Sequence, residues 1–396
     1  MKLPSPEERA ALLDSARARK MARSAHAFVR GNTAGFYERL AALPAAIQPP
    51  TGPAIWICGD CHLGNLGPLS DGKDNLEIQI RDLDQTVIGN PAHDLIRLAL
   101  SLASAARGSD LSGIVTAQMM DRMMAGYALA LADPVDGDPG PEPQVVRTVR
   151  RRSMGRRWRH LAKERIGGAD PTIPLGRRFW GLEKNERAAL DALFADPALA
   201  RLVLATGPDE DYKIRLVDAA YWMKGCSSLG LLRYAAVIAI KGAGDREQFG
   251  LVDIKQAVTA VAPVAAHADM PRDQAERVVA GARALSPLLG DRMAARQVLG
   301  TSVFVRELLP QDMKLEVAQF SSSQAEKAAH YLAFVVGRAH ARQMTAKQRS
   351  AWRATLDVAE DGAAGSPDWL WGCVVNLAGS HEVDYLDHCR RHVTRD

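Results

Sequence analysis

The stretch that most restricts this chain lies between Ala54 and Arg107. An apolar run, Ala54 to Cys58, feeds the motif Trp56 to Leu66, "WICGDCHLGNL". "NLEIQIRDLDQTVIG" follows and alternates like a strand or hairpin arm, and "HDLIRLALSLASAAR" then reads as an amphipathic helix with Leu95, Leu98, Ala99, Leu102 and Ala106 on one side. A unit of this kind presents Asp60, His62 and Asn65 from a loop between strand-like runs. Asp82 and Asp84, in "IRDLD", then fall at the end of the next run.

Two chemistries compete for that loop. Cys58 and Cys61 form a C-x-x-C, but zinc needs a second ligand pair, and Cys226, Cys373 and Cys389 are dispersed. A thioredoxin-like redox motif wants a following helix, which Gly64 and the strand-like run oppose. Phosphoryl transfer suits the loop better, because the protein's part in that reaction is positioning and charge neutralisation. Asp60 and Asn65 are five residues apart and Asp82 follows seventeen residues later. They supply a base and hard oxygen ligands for magnesium, with Asp84 as a further donor.

The rest of the chain is read around that unit. Near-helical spacing of Leu12, Ala16, Met21, Phe28, Phe36 and Leu40 predicts helix over the first forty residues. "DPVDGDPGPEP" (133–143) is a loop. Beyond about residue 200, strand formers and turn signals predict strands near 213–223, 231–241 and 248–256. A helix at 273–287, two short strands around "RQVLG" and "SVFVREL", and C-terminal helices complete the pattern. The expected division is a helical lobe at 1–200, a β-rich lobe at 201–310 and closing helices at 311–396.

Composition excludes several classes. No apolar run reaches the roughly 18 residues of a membrane span. The charged N-terminal segment lacks a secretory leader's apolar stretch, and five scattered cysteines fit a reducing compartment, so a cytoplasmic protein is expected. A net charge of +4 over 396 residues argues against nucleic acid as partner. One segment departs from the balance: between Arg147 and Arg165, eight arginines and one lysine face one glutamate. It reads either as a solvated helix face or as a site for an anionic acceptor.

"GDCHLGNL…IQIRDLDQTVIGNPAHDLIRLALS" resembles the core of aminoglycoside and choline phosphotransferases, which run G-D-x-H-x-x-N, I-D-[FW]-[DE] and G-[DN]-P-x-x-D-L. The resemblance implies Asp60 as catalytic base, His62 as a brace of the loop, Asn65 and Asp82 as magnesium ligands and Asp94 as a structural acid. Cys58 stands where those enzymes usually have His, and Arg81 where Ile is usual. Over nearly its whole length the chain is also similar to a bacterial domain family of unknown function, number 2252. That similarity rests on "AFVRG", "CGDCHLGNLG", the Arg-rich segment, "GCSSLGLLRY", "VDIKQA", "FVRELLP" and "GRAHARQ".

What these resemblances imply is an α+β, two-lobed protein-kinase-like fold binding ATP and Mg2+. Kinases place a Gly-rich turn and a strand lysine over the phosphates. The turn would be "KGCSSLG" (Lys224, Gly225, Ser227, Ser228 and Gly230), the lysine Lys255 with Glu276 as its partner, and Glu307 and Leu308 would face adenine. Because this lobe follows the catalytic loop, the fold is expected to be circularly permuted, with the "GRAHARQ" helix returning to the loop. Bland readings stand beside these: Arg30 and Arg306 as paired structural arginines, Arg338 and Arg342 as helix-surface charges, His26 and His93 as structural. The expected activity is ATP- and magnesium-dependent phosphoryl transfer to a hydroxyl of a small molecule or protein. The alternatives are nucleotidyl (AMP) transfer on the same fold, a non-catalytic nucleotide-binding regulator and, last, a metal-thiol protein.

Overall fold

The computed structural model describes residues 6–72, 75–199, 213–225, 229–241, 247–315, 321–356 and 367–392. Its N-terminal helix comes in three pieces, Pro6–Met21, Ala25–Gly31 and Thr33–Ala41, where the sequence periodicity predicts one. The breaks fall at Ser24 and Asn32. Ser24 accepts from Ala27 N at 3.1 Å and Asn32 Oδ1 from Gly35 N at 3.2 Å, so each caps a new helix instead of continuing the old one.

The loops of interest are framed by four short strands: β1 (Ile55–Ile57), β2 (Leu66–Ser70), β3 (Leu76–Ile80) and β4 (Val87–Gly89). β1 pairs antiparallel with β4, and β2 with β3. The chain therefore leaves the first ribbon for the second through residues 58–65 and returns through 81–86. Nested pairing forces these two connections to run side by side, and Arg81 N bonds Asn65 O at 2.7 Å between them.

Behind the loops lies the helix Ala92–Arg107, whose buried residues include Asp94, Arg97 and Ser101 beside the apolar stripe. The helices Gly113–Ala132 and Ser322–Ala341 cross closely next to it. A Cβ on Gly126 would meet His330 O at 2.1 Å, so that contact admits only glycine. The long helix Asp368–His392 closes the same core through Leu370, Cys373, Val374 and Leu377.

The second structural region is one antiparallel sheet in the order β5-β6-β7-β8-β10-β9. It comprises β5 (Phe179–Trp180), β6 (Lys213–Trp222), β7 (Arg233–Lys241), β8 (Gln248–Gln256), β9 (Met293–Val298) and β10 (Thr301–Leu308). Period-two patterning sends Tyr234, Ala236 and Ile238 to one core, with Leu190 and Phe194 of a covering helix, and Ala235 and Val237 to another, with Leu161 and Ile166. Each fully buried large apolar side chain contributes about 1.5–3 kcal/mol. The helix Gln274–Leu285 connects β8 to β9 and packs its Val278 and Ala282 into the core of the loop region. After β10 the chain returns to β2, where Leu315 N faces Leu66 O at 3.4 Å.

Candidate functional site

Gly59 sets the course of the first loop. Its φ of 73° and the Gln85 carbonyl 2.2 Å from where a Cβ would sit leave no room for another residue. On either side the backbone is pinned: Asp94 accepts from Cys58 N at 2.7 Å and Gly59 N at 2.9 Å, and Tyr37 donates to Gly59 O at 2.7 Å. Asp94 is itself held by His340 Nε2 at 3.2 Å. Beyond it, His340 Nδ1 lies 3.0 Å from the Tyr127 hydroxyl, which accepts from Trp352 Nε1 at 3.1 Å. Tyr127 therefore has its own proton to give Nδ1, and donor counting puts the His340 proton on Nε2, facing Asp94. This chain joins four helices to the loop. The "GRAHARQ" segment reaches it as the sequence predicts, with Gln343 also bonding Trp56 N and O at 2.8 and 3.0 Å.

Asp60 emerges from this support. One carboxylate oxygen accepts from Arg97 Nε at 2.8 Å, while Arg97 Nη2 donates to Val29 O at 2.7 Å. The other oxygen is 3.9 Å from His62 Nε2. Burial drives the His62 imidazole down to about 3, so it is neutral at ordinary pH. Asn65 Nδ2 donates to Asp60 O at 2.9 Å, which leaves its amide oxygen free of that bond.

The second loop brings Asp82 and Asp84. The Asp82 side chain is 47% exposed and 3.7 Å from Lys255 Nζ. Burial opposes its ionisation, but Lys255, Arg306 and Arg233 outweigh that and hold its carboxyl well below the usual carboxylate range. Asp84 is hydrogen-bonded to Lys255. The lysine arrives from β8, within the sheet, and burial pushes its ammonium down despite Asp82. Glu276 is exposed on its helix, so Lys255 takes Asp82 and Asp84 as its ion-pair partners instead. The next residue, Arg277, is the one turned inward: it bonds the carbonyls of Thr86, Asp84 (3.1 Å) and Val258 (2.9 Å), clamping the second loop.

A cavity of about 410 Å³ joins the parts: Asp60, His62, Asn65 and Asp82 line it together with Lys224, Gly225 and Leu308. Lys224 lies 4.0 Å from the centre of the Trp222 ring, and burial, then Arg165 and Arg233, push its ammonium well down. Gly225 O accepts from Lys20. Gly230 lines a separate cavity of about 310 Å³ with Val258 and Thr259. Ser227 and Ser228 lie outside the described residues. The Glu307 carbonyl accepts from Arg292 Nη1 at 3.0 Å, and Glu307 itself is not among the lining residues.

Several lining residues escape sequence reasoning. Lys20, Arg30, Arg81 and Lys314 converge on the cavity only through tertiary structure, whereas Arg97, which bonds Asp60 without lining the cavity, interrupts an apolar helix stripe, a signal that was available. Of the arginines between 147 and 165, Arg165 alone lines the cavity. Arg150 pairs with Glu142 and Arg156 with Glu164.

Cys58 and Cys61 are buried free thiols clustered with Asp94 within 4.8 Å. Burial raises the Cys58 thiol; the hydrogen bond from Cys58 lowers the Cys61 thiol, but burial together with the charges of Asp94 and Asp60 leaves it raised. With Asp94 already bonded to two backbone N–H groups and His340, the trio is a poor ligand set.

The chain is thus a mixed α+β protein in which an acid-bearing loop pair and the inner strands of the sheet meet at one cationic cleft. It belongs to the family of uncharacterized proteins conserved in bacteria known as DUF2252, whose family model matches residues 9–391. No curated protein and no solved structure matches it. Among the described residues, no helix is long and apolar enough to cross a membrane.

Proposed function

We propose that the chain is an ATP- and magnesium-dependent phosphotransferase built on a circularly permuted kinase-like fold. One observation carries this reading: Asp60, Asn65 and Asp82 share a cavity with Lys224, and Lys255 reaches Asp82 although more than 170 residues separate them in sequence. The connectivity supports it as well. Three antiparallel strands are followed by a helix and two further strands, in the sheet order β6-β7-β8-β10-β9, and a lysine on the third of them meets the acid loops, the position a kinase-like nucleotide lobe requires.

The donor set fits magnesium. Asn65 and Asp82, with Asp84 beside them, offer hard oxygen atoms, and Asp82 is held ionised by surrounding cations. Magnesium bound there would supply charge neutralisation at the nucleotide phosphates. Lys224 and Lys255 bind phosphate oxygens, and Leu308 offers an apolar surface to the base. Arg97 occupies one oxygen of Asp60, so the other receives the acceptor's proton. The acceptor oxygen bonds the γ-phosphorus, the bond to the β–γ bridging oxygen breaks and ADP leaves. Neutral His62 adds no competing charge beside the base.

Replacing Asp60 by alanine is expected to abolish turnover and leave nucleotide binding within about twofold, because the base acts in the transition state. Full activity in that variant would end the assignment. Following labelled γ- against α-phosphate into product separates phosphoryl from nucleotidyl transfer.

A further inference from the structure

The cleft holds more positive charge than its acids balance. Of its lining cations, Arg233 and Arg306 are paired with Asp253 at 2.5 and 3.3 Å; beside the cavity, Lys255 is paired with Asp82 and Asp84, and Arg97 with Asp60. Arg30 and Lys314 also line the cavity, and neither has a carboxylate partner among the described residues. The buried Nε of Arg30 has no hydrogen-bond partner there. Two cations left this way in a cleft are costly unless an anion joins them.

Their place in the fold distinguishes them from Lys224 and Lys255. The Arg30 guanidinium packs over the acid loop: a Cβ on Gly64 would lie 3.0 Å from Arg30 Cζ and 3.2 Å from His62 Cε1. Lys314 sits in the segment laid against the start of β2, where Met313 O would be 2.6 Å from a Cβ on Gly67. Arg30 and the segment carrying Lys314 therefore lie against Gly64 and Gly67, on the acid-loop wall, and line the cavity with Asn65, whereas Lys224 and Lys255 come from the sheet region. Arg30, Arg81 and Lys314 line one cavity, and burial, then Arg30 and Arg81, push the Lys314 ammonium down to about 8 against the pull of Asp82.

We infer that Arg30 and Lys314 form a second anion subsite, beside the nucleotide phosphates, that takes an anionic group of the acceptor. Resting on the phosphotransferase reading, this makes the acceptor a small hydroxyl-bearing phosphate or carboxylate. The Arg-rich surface segment contributes Arg165 to the cleft.

The test is calorimetric titration of inorganic phosphate into the full chain saturated with magnesium and the β,γ-imido analogue of ATP, which fills the γ-phosphate position. Phosphate should bind at one further site. Arg30→Gln or Lys314→Gln should weaken it about tenfold or more, as loss of a charge-assisted hydrogen bond does, with Arg30→Lys retaining part of the affinity. Affinity for the analogue should stay within about twofold in each variant, which also reports that the variants fold. Phosphate that binds only the nucleotide-free protein, and is displaced by the analogue, would overturn the second subsite and assign these cations to the nucleotide. Phosphate binding that depends on Arg30 in a protein that binds no nucleotide would support the subsite and end the phosphotransferase reading. Absence of phosphate binding in a protein that does bind the analogue would end the subsite alone.

Discussion

Asp94 and Asp82 lie twelve residues apart in one motif block and live in opposite surroundings. The Asp94 side chain is fully buried and bonds two backbone N–H groups and His340. The Asp82 side chain is 47% exposed to the cleft and meets Lys255 at 3.7 Å. An acid whose bonds are all made inside the protein holds shape. An acid kept ionised by cations, with room beside it, is available to a ligand. The same division separates the two walls of the cleft: the loop wall is pinned by a four-residue chain from Asp94 to Trp352, and the sheet wall brings charge.

Substitutions at the two acids should therefore split stability from binding. The largest stability loss is expected for Asp94→Ala, which strands two buried N–H groups and His340; about 3–5 kcal/mol should appear in urea unfolding. Asp82→Asn should change stability by less than about 1 kcal/mol, because exposure screens its pairing, while removing magnesium-dependent nucleotide binding. Equal losses in both would erase the distinction. Tyr127→Phe, two bonds back from the loop, should cost about 1–3 kcal/mol by leaving Trp352 Nε1 and His340 Nδ1 unpartnered.

His62 sharpens the comparison through pH. Its folded value of about 3 lies below the ordinary 6.5, so the unfolded state takes up its proton first. Stability should be fully present above about pH 6.5 and fall as pH drops toward 3, with a shallower fall in His62→Asn measured by urea midpoints across that window. At the small end, losing the partly exposed Arg39–Asp384 pair in Asp384→Ala should leave the urea midpoint nearly unchanged, because solvent screens the pair.

Much of the frame was legible because it follows local rules. β6, β7 and β8 begin within two residues of the expected starts at 213, 231 and 248, since period-two runs bounded by turns mark strands. The helix Gln274–Leu285 falls within the expected 273–287. The acid loops were legible as a motif, and the structure brings Asp60, His62, Asn65 and Asp82 together. Partner choice was not legible. Periodicity gives Gln274–Leu285 a buried face, yet whether Glu276 or Arg277 turns inward depends on carbonyls supplied by Asp84, Thr86 and Val258 from other segments. Arg30 reads like a paired structural arginine in sequence because nothing local shows that its neighbours across the fold are Gly64 and Lys314. The helix breaks at Ser24 and Asn32 carried a capping signal that apolar spacing alone overrides.

The central claim is that the exposed acid and the cations around it form a magnesium–nucleotide site. Isothermal calorimetry with ATP, with and without magnesium, on the wild-type chain and on Asp82→Ala tests it most directly. The account predicts binding that requires magnesium in the wild type and is lost in the variant. Binding that is unchanged by the substitution, or a wild-type protein that binds no ATP at all, would contradict it.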